Sequence, residues 1–293
     1  MRSTPLLFIV FALALGGCSR TTADDLVVQV TASYPGADAQ VVADTVAAPI
    51  EVQIDGIEGM TRVESESRND GSYVARVRFG PQNDAKLVVS LVRDRVALAR
   101  PVLPELVAQV GVEVKIGATQ LDEKNLAVIA LMDRGDYGRD ALRNWSEAVV
   151  SRLIADGAMV NPKVFPGPDE KRARLLRIDR DTCARLGLSE AEVYEALRKA
   201  GGWAATPDAL KKLTVVSSKG DQVLLSAVAV FEEVTGPAAV YRVDLHPAVR
   251  ISGSPPEGTT IAETARRCVD LAEAERRKSK RPDGFAAINL TAK

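Results

Sequence analysis

The strongest constraint on the fold is an alternation of strand-like and helix-like apolar periods that the chain runs through twice. Leu26 to Ser33 (LVVQVTAS) is rich in β-branched residues and reads as a strand. Tyr34-Pro35-Gly36-Ala37-Asp38-Ala39 then turns the chain: Pro35 fixes φ, Gly36 permits the turn, and Asp38 is placed to cap a following helix. In that helix Val42, Val46, Ile50 and Ile54 recur every four positions and form one stripe, with Pro49 a point of kinking. Met60 to Phe79 holds two alternating runs broken at Asn69-Asp70-Gly71, a hairpin signal because these residues tolerate positive φ. Asp84 caps a second helix whose buried side is read as Leu87, Val88, Leu91, Val92 and Leu98, ending before Pro101. Val112 to Ile116 supplies a last strand.

A second pass begins at Leu126, after a spacing of about a hundred residues, an ordinary domain length. Leu126 to Met132 is an apolar strand, and Arg139 to Asp156 an amphipathic helix with Leu142, Trp145, Val149, Leu153 and Ile154 inward, stopped by Gly157. Met159 to Phe165 and Arg174 to Arg180 read as strands flanking Pro166-Gly167-Pro168. Ser189 to Glu192 has the spacing of a capping box for a helix reaching Ala200. The expected fold is α+β, two ferredoxin-like βαββαβ units in tandem. Residues 26–118 form the first and 119–293 the second, with a hairpin excursion at 211–234.

Composition narrows the function. Lys and Arg number 38 against 39 Asp and Glu, a net charge of -1, so no basic field draws nucleic acid. Aromatic residues make up only 4%, a poor supply for stacking platforms. Mean hydropathy of -0.01 excludes a multi-span membrane protein. His246 is the only histidine, so no His-based metal cluster can form, and no nucleophile elbow accompanies a serine. No enzyme, metal or cofactor is expected. Cys183 and Cys268 either pair or stay as buried thiols. Glu275 to Arg281 is read as the solvated basic end of a helix starting near Thr260, where positive charge suits the dipole.

Several motifs in a fixed order carry a resemblance. Tyr34 to Ile57 (YPGADAQVVADTVAAPIEVQIDGI), Asn83 to Pro104 (NDAKLVVSLVRDRVALARPVLP), Ile178-Asp179 with Leu186 to Ser189, Thr214 to Gly236, and Pro282-Asp283-Gly284 together resemble the periplasmic porter region of resistance-nodulation-division (RND) efflux transporters, in the branch that exports hydrophobic and amphiphilic compounds. The similarity covers nearly the whole chain after Leu26. It implies that the helix with Asp84, Val88, Leu91, Val92 and Arg95 corresponds to the one lining the central pore of trimeric relatives. It also implies that Phe165 falls where the family places a pocket aromatic; as residues alone read, a core role is favoured. The loop from Gly202 to Thr214 is short where trimeric relatives insert a long docking arm, which leaves a homo-oligomer open and puts a stable trimer in doubt.

The N-terminus departs from that pattern. Pro5 to Gly17 (PLLFIVFALALGG) is shorter than the about 20 apolar residues a spanning helix needs. It follows Arg2 and meets Cys18 as Leu15-Gly16-Gly17-Cys18, which reads as a lipoprotein signal peptide over 1–18, with Cys18 lipidated and 19–25 a tether. The other readings are a chance cysteine or a shortened membrane helix. Because the chain stops at Lys293, where the family would enter a membrane helix, it is expected not to pump alone. Expected partners are an RND transporter or tripartite efflux components and the membrane, through the lipid anchor. The expected location is the periplasmic side of the bacterial envelope, with the outer membrane favoured. The functional readings are a separately encoded porter-like subunit or accessory, or a stand-alone lipoprotein scaffold that has lost transport.

Overall fold

The computed structural model describes residues 25–117, 125–199 and 207–291. The expected signal segment with Cys18, most of the tether and the start of the loop at Gly202 therefore lie outside the described residues. Those that are described form a mixed α+β protein built on one curled, nine-stranded antiparallel sheet.

In its first half, β1 (Leu26–Ser33) lies between β3 (Ser72–Phe79) and β4 (Glu113–Ile116), and β2 (Met60–Arg68) flanks β3, giving the order β4-β1-β3-β2. Gly71 at the β2-β3 turn has φ +80°, and its carbonyl accepts the Tyr34 N–H at 2.8 Å. A Cβ at Gly71 would lie 2.1 Å from the Tyr34 carbonyl oxygen, so only glycine lets the two turns meet. Asp38 caps α1 (Ala39–Val42) by accepting the N–H groups of Gln40 and Val41, each at 3.0 Å. One wide helical turn, Ala43–Ala47, joins α1 to α2 (Ala48–Ile54): the Ala48 N–H reaches back to the Ala43 carbonyl, and the next residue, Pro49, has no N–H to continue the regular ladder. Val42, Val46, Ile50 and Ile54 are all fully buried against the sheet. Burying each such side chain contributes about 1.5–3 kcal/mol.

The following helix corrects the expected stripe. In α3 (Ala85–Ala99) the buried residues are Val88, Val92, Val96 and Ala99, whereas Leu87, Leu91 and Leu98 are exposed. Two adjacent apolar stripes share this helix, and periodicity alone reads them as one face; the β-branched one packs on the sheet. A short α4 (Glu105–Val110) leads into β4.

The second half starts with β5 (Ala127–Asp133), buried on both faces, then α5 (Arg139–Ala155) and β6 (Val160–Phe165). Ile154, expected inward on α5, is exposed, because the buried stripe runs through Leu142, Trp145, Val149 and Leu153 and Ile154 lies about 100° around the helix from the last of these. An inserted region follows. Its β7 (Asp169–Ile178) pairs with β10 (Ala229–Pro237), enclosing α6 (Arg180–Leu186), α7 (Glu190–Lys199), α8 (Pro207–Lys211), β8 (Thr214–Val216) and β9 (Gln222–Leu224) around a separate core that includes Cys183, Leu197 and Leu210. The expected capping box opens α7, with the Ser189 N–H donating to Glu192 at 2.7 Å. Of the expected 211–234 hairpin, only β8 and β9 pair with each other; residues 229–237 pair instead with β7.

The chain then returns through β11 (Ala239–Val243), which pairs with β2, and β12 (His246–Ser254), which pairs with β5, so this hairpin sews the two halves into one sheet. Asp244 and Leu245, both at positive φ, make its turn. A capping box of Thr260 and Glu263 opens α9 (Ile261–Lys278), and β13 (Phe285–Asn289) completes the order β13-β5-β12-β6. Cys268 is buried in the α5-α9 core and Cys183 in the inserted one, so the two thiols are free and do not pair.

Candidate functional site

The five residues of the pore-helix expectation are divided by the fold. Asp84 is the N-cap of α3, accepting the N–H groups of Lys86 and Leu87 at 2.9 Å. Val88 and Val92 are buried core residues. Leu91 and Arg95 reach the surface, as does the capping Asp84, and Arg95 donates to the Gln53 carbonyl at 3.5 Å. Leu91 belongs instead to an exposed apolar line, Leu87, Leu91, Leu98 and Val102, whose members are 57%, 37%, 61% and 68% exposed. Their spacing of four, seven and four residues runs down one side of α3 and into the turn beyond it, the pattern of a helix face that packs against another helix.

A second surface feature arises from a fork in the sheet. Along one edge of β12 the partner changes: Pro247 and His246 pair with β11, whereas Arg250 to Ser254 pair with β6. The two partner strands splay apart at this point, and a cleft of about 900 Å³ opens between α1, α5, the Pro166-Gly167-Pro168 turn and the β11-β12 hairpin. Buried Asp133, at the end of β5, accepts the Gly135 and Gly138 N–H groups at 3.1 and 2.9 Å. That fixes the loop from which α5 presents Arg139 and Arg143 to the cleft. Both arginines contact Asp169, at 3.1 and 3.5 Å.

Phe165 is turned away from this cleft. Its neighbours Val164 and Pro166 line the cavity, while its ring packs 5.9 Å from Tyr241, with the Arg250 guanidinium 5.1 Å from the Phe165 centroid and 5.5 Å from that of Tyr241. It is a half-buried wedge behind the fork, joined to the small cluster of Val128, Met132 and Tyr241.

Sequence reasoning missed the polar groups that hold the halves together. Asn69 accepts the Ala39 N–H and donates to the Pro237 carbonyl, each at 3.0 Å, linking the hairpin turn, the start of α1 and the end of β10. Glu51 of α2 is 1% exposed; it accepts the Ser65 hydroxyl at 2.5 Å and lies 3.2 Å from Nε of Arg242 on β11. Burial pushes the Glu51 carboxyl above its ordinary value, an effect that Arg242 and Ser65 oppose. On the other face of β2, Glu64 accepts Arg78 Nε and the Tyr241 hydroxyl, both at 2.9 Å. The ESES run at 64–67 was the available signal: four successive polar residues, all buried, mark a strand covered on both sides.

Comparison with known proteins decides the family. The model described as the AcrB/AcrD/AcrF family matches residues 22–202, more than half of the chain. The chain belongs to that family. The toluene efflux pump membrane transporter TtgB of Pseudomonas putida is 35% identical over 119 residues, 40% of this chain and 11% of the transporter. The multidrug export protein AcrF of Escherichia coli (strain K12) is 39% identical over 88 residues, 30% of this chain and 8% of AcrF. The multidrug resistance protein MdtF of the same strain is 36% identical over 87 residues, with 30% and 8% coverage. The matches therefore span about a tenth of the relatives' length, and what they support is the porter region of an RND efflux transporter. Among the described residues, no helix is long and apolar enough to cross a membrane.

Proposed function

We propose that this chain is a non-enzymatic, periplasmic porter module that works as a component of an RND-type efflux system beside a membrane-embedded partner. The observation that carries this reading is the family match over residues 22–202. In this reading the chain holds two ferredoxin-like units, 26–118 and 119–293. Each runs βαββαβ, the second interrupted between β6 and β12 by the inserted region, and their strand orders β4-β1-β3-β2 and β13-β5-β12-β6 are the same permutation.

The contact surface for the partner is the exposed line Leu87, Leu91, Leu98 and Val102, with Arg95 beside it. An apolar stripe of this length facing water on a helix that already has a buried stripe favours a protein contact, with another copy of the chain or with a transporter component. The N-terminal segment, 1–18, is a signal that ends in lipidated Cys18, and 19–25 tethers the module to the envelope membrane. Affinity capture of the tagged chain from detergent-solubilised envelopes tests the reading, and recovery of a transporter component is the expected result. Repeated recovery of none, with amphiphile export unchanged on deletion, removes it.

A further inference from the structure

The two ends of the nine-stranded sheet are finished differently, and the difference carries an inference that holds whether or not the module works beside a transporter. β13 forms one end. Its Gly284 carbonyl and Leu290 N–H bond inward to Arg134 and Val128, so Phe285, Ala287 and Asn289 point their backbone groups outward. The chain itself covers that row: the Phe285 N–H donates to the Pro282 carbonyl at 3.2 Å, the Ala287 N–H to Glu273 of α9 at 2.8 Å, and the Asn289 carbonyl accepts Arg62 at 2.9 Å.

β4 forms the other end, pairing only with β1 among the described residues. The Gly117 N–H bonds to the Val27 carbonyl of β1 at 2.8 Å, which sets the parity: Glu113 and Lys115 turn their backbone groups to β1, Val114 and Ile116 turn theirs outward. Among the described residues, the one contact to this outer row is Arg93 at 3.4 Å from the Val114 carbonyl, which leaves the Val114 N–H and both groups of Ile116 open. An open edge accepts another strand, and charge commonly guards it. Here the guards are of opposite sign: Glu113 and Lys115 flank Val114, with side chains 61% and 51% exposed. They pair with each other at 2.9 Å, a contact in water that exchanges readily. A second β4 laid antiparallel about Val114 sets each Glu113 opposite the Lys115 of the second copy, and sets the 50% exposed Ile116 opposite Val112.

We propose that β4 is a self-association edge, where the β4 strands of two copies pair antiparallel about Val114 and continue the sheet across a two-fold axis. A guard of one sign would repel its own copy, whereas this pattern meets its opposite at both positions. The contact is separate from the exposed α3 line.

Sedimentation equilibrium of the full chain in density-matched detergent, over a concentration series, tests this. A monomer-dimer equilibrium is expected. Lys115→Glu or Glu113→Lys alone sets like charges opposite each other twice per dimer and weakens association by at least about tenfold. An equal mixture of these two variants, or both substitutions in one chain, restores it, because every Glu again faces a Lys. The restoration separates a lost contact from a damaged fold. Four results overturn the proposal: a monomer at every concentration, association indifferent to the single variants, failure of both the mixture and the double variant to restore it, or association abolished by Leu91→Asp with Leu98→Asp, which places the second copy on α3.

Discussion

At the scale of single residues, several groups have surroundings that leave them little choice. Gly71 sits at φ +80° with the Tyr34 carbonyl oxygen 2.1 Å from where a Cβ would stand. Gly71→Ala is expected to destabilise the fold by on the order of 2 kcal/mol, since strain and a backbone clash add; chemical denaturation measures it. Glu51 supplies a pH dependence of known sign. Its folded pKa is raised above the ordinary 4.5, so the folded state holds the proton more tightly than the unfolded state. The stability this provides is complete below about 4.5 and is lost as pH rises through the raised value. Glu51→Gln therefore flattens the fall in stability with rising pH, which denaturation midpoints taken across that window detect; an unchanged slope contradicts the assignment. Burial pushes the Cys268 thiol up to about 11. It stays protonated at neutral pH, and thiol reagents should modify it only after unfolding.

At the scale of elements, the first half of the fold was largely legible in the sequence. The Val42, Val46, Ile50, Ile54 stripe, the Asn69-Asp70-Gly71 turn and the Asp38, Asp84 and Ser189 caps all stand in the structure because each is a local signal that tertiary packing had no reason to override. What failed were long-range choices. Periodicity could not tell which of two apolar stripes on α3 would meet the sheet, nor that residues 229–237 would pair with β7 across an inserted subdomain. The cleft was illegible for the same reason, since it exists only where β12 exchanges β11 for β6, and its arginines lie on the polar side of a helix read for its apolar side. The α3 stripes yield a paired prediction. Val92→Ala, in the buried stripe, should cost about 1–3 kcal/mol of stability through a cavity, whereas Leu98→Asp, in the exposed stripe, should leave stability within about 0.5 kcal/mol. Thermal or chemical unfolding of the two variants separates them, and equal destabilisation would mean that the exposed leucines are packed.

At the scale of the whole molecule, the β11-β12 hairpin makes the halves one body: β11 extends the sheet of the first half while β12 is central to that of the second. Polar contacts cross the joint: Glu51 lies 3.2 Å from Arg242 of β11 on one face of β2, and on the other Glu64, paired with Arg78, accepts the Tyr241 hydroxyl of β11. A rigid pair of units is a suitable platform for presenting the α3 face to a partner. The proposed tether is checked by the intact mass of the mature protein, which should show a lipid on Cys18, and by Cys18→Ser, which should release the chain from membranes. The central claim is that the exposed α3 line is where this porter module meets its efflux partner. Its most direct test is quantitative co-purification from solubilised envelopes, comparing the native chain with a Leu91→Asp, Leu98→Asp variant of equal stability. The account predicts that an RND transporter or adaptor component travels with the native chain and is lost with the variant. Equal recovery from both, or from neither, would contradict it.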